Sequence, residues 1–169
     1  MFTRTDLEGY FLTHKQEAVV WLAAGLLAMA LGLSFQLWRN RSASRGVVIA
    51  LLFTGMLEAA GGFWAYSQAD SLRISNVYAY EMNPSQLRIQ EWPRIGRERQ
   101  QLVILRWSAL GILGAALAML AFGHRARANS RRDMLLVLSL QLVLIATAAY
   151  LSERKAAAYM QGLEQFFSR

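Results

Sequence analysis

The chain has 169 residues, 55% of them hydrophobic, no cysteine and a net charge of +7. The length allows one domain, but this apolar share, with a mean hydropathy of +0.24, exceeds what a soluble domain of such size can bury, so the excess belongs in lipid. The missing thiols exclude disulfides, thiol catalysis and thiolate metal sites. The positive charge sits beside apolar runs, as the positive-inside rule requires of a membrane protein, so no nucleic-acid partner is expected.

Four windows meet the length of roughly 20 apolar residues needed for a bilayer crossing: Ala18 to Trp38, Gly46 to Tyr66, Ile104 to Phe122 and Met134 to Leu151. Backbone groups in hydrocarbon must bond within their own segment, and four segments cannot close a barrel, so each window reads as a helix. The first is read as a retained span rather than a signal peptide, because no small-residue cleavage site follows it.

In chain order, Thr5-Asp6-Leu7-Glu8 has the form of a capping box, and nothing breaks a helix from there to Trp38. A helix of that length, about 50 Å at 1.5 Å per residue, outruns a hydrocarbon core of about 30 Å and should protrude on its N-terminal side. The turn 39–45 carries three arginines and the turn 124–133 four, together seven of the 18 basic residues. That density places both short loops in the cytoplasm, with both termini and the stretch 68–103 outside, in a bacterial inner membrane. The second helix should continue past the lipid to Tyr80 and stop at Asn83-Pro84, with Asn83 as cap and Pro84 at the first helical position. A short helix from Ser85 to Glu91 should follow, with a new start at Pro93. The fourth helix should start at Asp133 and run to Phe167, amphipathic in its last third.

These readings give an all-α polytopic membrane protein: a single four-helix transmembrane bundle of long helices protruding on the extracytoplasmic side, with a short helical cap between helices 2 and 3. Small residues recur at four-residue spacing, as in Gly55 and Ala59, Gly111 and Ala115, or Gly114 and Ala118. Such stripes let helices approach closely, and they read as packing within the bundle, with a homo-oligomer as the alternative.

Chemistry is sparse. Glu58 is the carboxylate well inside a span, where an ionised group costs about 2.5–3.5 kcal/mol and calls for a partner. Arg106, inside the outer end of the third span, is the expected one, with a protonated Glu58 bonded to Ser108, Gln141 or Thr147 as the alternative. His14 and His124 fall on opposite sides of the membrane, which disfavours haem, and no catalytic, cofactor or metal site is expected. Small multidrug transporters share four spans and one membrane glutamate but carry it in the first span, so the chain is not read as one. In the cap, Tyr80, Arg88, Trp92, Arg94 and Arg97 mix the aromatic and arginine side chains enriched at interface cores, and are the expected partner-binding residues. The chain is therefore expected to be non-enzymatic and to bind lipid and another protein. Its architecture resembles that of immunity proteins that neutralise a membrane-directed, pore-forming toxin. The alternatives are a small transporter or channel organised on Glu58 and Arg106, and an accessory or assembly subunit of a larger membrane complex.

Overall fold

The structure, a computed structural model, describes residues 2–37, 45–122 and 129–168; Trp38, His124 and most of the two arginine-rich turns lie outside these. Four helices account for nearly all of them: α1 (Arg4–Leu37), α2 (Arg45–Met82), α3 (Pro84–Phe122) and α4 (Asn129–Phe167). Each is long and apolar enough to cross a membrane, and only 11% to 28% of each apolar window is buried inside the protein. A belt of exposed leucine, isoleucine, valine and phenylalanine of that extent requires lipid around it.

The helices are capped somewhat differently from expectation. The N-terminal box forms two residues earlier: the Thr3 hydroxyl and amide both donate to Asp6 Oδ2, and the Asp6 amide donates back to Thr3 Oγ1. Thr3-x-x-Asp6 has the same reciprocal pattern as Thr5-x-x-Glu8, and it frees Glu8 to pair with Arg4 at 2.8 Å. Asn83 caps α3 as expected, its Oδ1 accepting from Ser85 Oγ and the Gln86 amide, with Pro84 at the first position. Helix α4 starts at Asn129, a turn ahead of Asp133.

The separate cap does not exist. Helix α3 runs unbroken through Pro93, so α2 and α3 meet across the single residue Asn83 and the expected short helix is the first two turns of α3. An interior proline removes one hydrogen bond, here to the Ile89 carbonyl, but Ile89 is 73% exposed, so water can satisfy that group. Continuity is supported from the other side of the helix, where Leu87, Glu91 and Ile95 are all buried, spaced one turn apart on either side of the proline.

α1 packs chiefly on α2 and α3 chiefly on α4, while α2 links the two hairpins; the α1 and α4 backbones come close at few points and meet mainly through side chains, and α1 and α3 lie across the diagonal. α2 and α4 run parallel in register. The Gly46 amide donates to Ser130 Oγ at one end, and Ala79 and Leu163, with the same offset, share a core at the other.

Candidate functional site

Three interhelical ion pairs form a collar where the apolar windows end: Lys15 with Asp70 at 2.6 Å (α1–α2), Glu17 with Lys155 (α1–α4) and Arg106 with Glu153 at 2.5 Å (α3–α4). The Arg106 guanidinium also lies over the rings of Trp107 and Tyr150, the aromatic and cationic surroundings expected at a membrane–water boundary. Everything beyond the collar, from both termini to the Asn83 turn, is termed the head.

The head has its own core. Leu7, Phe11, Ala79, Leu87, Ile95, Ala156, Tyr159 and Leu163 from all four helices are buried together. Tyr10 stacks on Tyr159 at 4.1 Å, and Tyr80 stacks on Phe166 at 4.8 Å. Inside the core lies Glu91, 1% exposed, held by two hydrogen bonds of 2.6 Å from Arg94, which also bonds Glu98. The fork geometry matches the carboxylate and compensates the desolvation of both charges. Burial would lower the Arg94 pKa, but the hydrogen bond and charge of Glu91, then Glu98, outweigh it and hold the guanidinium above its ordinary value. Glu98 accepts from Tyr10 Oη at 3.0 Å and lies 3.8 Å from His14 Nδ1. Burial and then Glu98 push the Tyr10 phenol up. Burial and then Glu91 do the same to Tyr159, whose hydroxyl is buried without a well-formed hydrogen bond.

Between α1 and α4 the head opens into a cleft of about 550 Å³, floored by Glu98 and flanked by Tyr10, His14, Glu17, Ser152 and Lys155. On the outer surface, Ile74, Tyr78 and Met82 stand one turn apart on α2, 62% to 71% exposed, with Ile89 of α3 at 73%. These four lie beyond the collar, on the head. Beside Ile89, Arg88 lies over the Phe167 ring and Trp92 packs edge-on against it.

The residues expected to meet a partner separate into two groups. Arg88 and Arg97 are exposed and Trp92 is partly so, whereas Tyr80 packs against the head core and Arg94 is committed to Glu91 and Glu98. The expected Glu58–Arg106 pair does not form. Arg106 is near the collar, and its long side chain bonds the carboxylate just beyond the fourth apolar window rather than reaching inward. Glu58 makes no hydrogen bond or ion pair with any described residue. Its expected alternative partners are not bonded to it either: Thr147 bonds the Val143 carbonyl, and Gln141 Oε1 is buried without a partner. Sequence reasoning missed the cleft, because its walls come from α1 and α4, the first and last helices. The heptad spacing of Tyr10 and Glu17 on α1, and of Ser152 and Tyr159 on α4, was the signal available.

Comparison with known proteins finds no family model, no curated protein and no solved structure that matches the chain.

Proposed function

We propose that the protein is a non-enzymatic binding protein of a bacterial inner membrane, with the arginine-rich turns cytoplasmic and the head outside, and that the head recognises another protein. One observation carries this reading: the ridge Ile74, Tyr78, Met82 and Ile89 is large, apolar and exposed on the head, beyond the collar. Exposed apolar side chains grouped on a surface that meets water mark an interaction site, and Arg88, Trp92 and Arg97 of α3 add the arginine and aromatic side chains enriched at interfaces. Arg94 is withdrawn from the recognition set because it holds the core. In its most specific form the reading is an immunity protein: the head captures a membrane-directed toxin's apolar segment before it assembles a pore. The same ridge would serve an accessory or assembly subunit of a larger membrane complex.

The test is protection. Cells carrying the chain should survive a pore-forming toxin encoded beside it. Exchanging the four ridge residues for serine should abolish survival at unchanged protein level, while Glu58→Gln should retain it. Protection that persists in the ridge variant contradicts the reading.

A further inference from the structure

Between the collar and the arginine-rich turns the described helices carry one charged residue, and it is half-buried. α1 has no charged residue from Ala18 to Leu37, α3 none from Trp107 to Phe122 and α4 none from Met134 to Ser152; α2 has Glu58 alone between Arg45 and Asp70. With Arg106 bonded to Glu153, no countercharge remains for it among the described residues. A carboxylate in this position is stabilised by a cation or a proton.

A second group at the same depth lacks what a protonated carboxyl would give. Gln141 of α4 is 8% exposed, and its Oε1 accepts no hydrogen bond. The parallel register of α2 and α4, with Gly46 bonded to Ser130, sets Glu58 twelve residues and Gln141 eleven residues above that contact, a difference of about 1.5 Å along the axis. The faces also agree. Gln141 lies one heptad above Met134, whose Cβ would be 2.8 Å from a Cβ built on Gly46 of α2, so it is on the α2-facing side of α4. Glu58 is three residues after Gly55 and four before Gly62, which pack on α1, and shares a heptad line with Ala79, which shares a core with Leu163 of α4, so it stands between the α1-facing and α4-facing sides of α2.

The cleft stands above this level. Its α4 wall carries Ser152, Lys155 and Tyr159, and continuing that face downward by alternate steps of four and three residues gives Ala148, Ile145 and Gln141. The α1 and α4 backbones come close at few points, with Ser152 and Lys155 bonding Glu17 across the top of the seam, and Ser152 is about 16 Å above Gln141 at 1.5 Å per residue. The lining of the cleft at the top of the seam is protonatable: His14, Glu17 and Glu98, beside Lys155.

We propose that Glu58 is a proton-binding site within the membrane, its carboxylic acid donating to the Gln141 amide oxygen, and that its proton exchanges with water on the head side through the α1–α4 seam. A proton satisfies the carboxylate and the orphaned acceptor together. A metal ion would have one carboxylate and one amide for ligands, fewer than the six oxygens a hard cation takes. The proposal is independent of what the head binds, and its failure would leave the ridge reading untouched.

Infrared spectroscopy of the full chain in lipid nanodiscs tests it. At neutral pH the wild type should show a protonated-carboxyl band that is absent from Glu58→Gln. That variant imitates the neutral acid and should fold with unchanged thermal stability. Gln141→Leu should keep the band but shift it to the frequency of a carboxyl without a hydrogen bond. In heavy water, Ala148→Leu, which fills the seam, should slow deuterium exchange of the band severalfold, while Leu117→Ile on the lipid face of α3 should leave the rate unchanged. A wild-type spectrum without the band, or a band that survives in Glu58→Gln, overturns the site; an exchange rate indifferent to Ala148→Leu overturns the route.

Discussion

The two halves of the same four helices are held together in opposite ways. In the head, large side chains interlock around a buried ion pair; in the lipid belt, the tightest contact is made by the absence of side chains. A Cβ on Gly25 would be 2.4 Å from the Ala59 amide nitrogen and 2.5 Å from the Gly55 carbonyl oxygen, and one on Gly62 would be 2.5 Å from the Leu22 amide nitrogen. The helix backbones of α1 and α2 are therefore in direct contact, which is how helices associate where lipid removes the hydrophobic driving force. The contrast tracks the solvent. Water drives the burial of Leu7, Leu87 and Leu163 in the head, but it gives no such reward for burying a leucine already in hydrocarbon.

The largest expected effect breaks the membrane half. Gly25→Leu should separate α1 from α2 and cost more than the roughly 1–3 kcal/mol typical of overpacking, because the obstruction is backbone and cannot move aside. Loss of the folded state in unfolding experiments in bicelles checks this. Next, Arg94→Ala strands Glu91 at 1% exposure and should cost about 3–5 kcal/mol. Limited proteolysis should then cut the head while the lipid-embedded segments remain protected. Leu163→Ala, at a fully buried position of the head core, should cost about 2–5 kcal/mol by removing packing and leaving a cavity. Smallest is Gly114→Ala on α3, where an added Cβ meets nothing within 4 Å. Unfolding should shift by no more than about 1 kcal/mol in either direction, in line with helix propensity.

The head alone should also respond to alkali. The Tyr10 and Tyr159 phenols are held above their ordinary value of 10.0, chiefly by burial. A raised folded-state value means that the stability these groups contribute is complete below pH 10.0 and is lost as the pH climbs above it, because the unfolded chain ionises first. The tyrosinate absorbance of Tyr10 and Tyr159, followed by difference against the Tyr10→Phe and Tyr159→Phe variants, should therefore appear only with unfolding of the head. Their ionisation while the head is still folded contradicts the buried pair.

Much of this division can be read from the residues. The four apolar windows, the Asn83-Pro84 stop and the surplus helix length follow from hydropathy and the 1.5 Å rise alone. Pro93 misled because local propensity was weighed without tertiary packing: Leu87, Glu91 and Ile95 hold the helix across the proline. Arg106 misled for a different reason. Depth in a span was estimated from the backbone, while a guanidinium reaches about a helical turn beyond its Cα, enough to choose Glu153 over Glu58. The pairing of Glu91 with Arg94 inside the core was hidden because both look like surface charges of a polar stretch, and only the four-helix arrangement buries them.

The central claim is that the exposed apolar ridge of the head is a protein-recognition surface. In-cell photocrosslinking tests it most directly, with a photoreactive amino acid placed in turn at Tyr78, Ile89 and the lipid-facing Leu117. Discrete protein adducts at Tyr78 and Ile89 that disappear when the remaining ridge residues are made serine, with none at Leu117, are the predicted result. Adducts only at Leu117, or none at the ridge in cells where the chain is active, would contradict it.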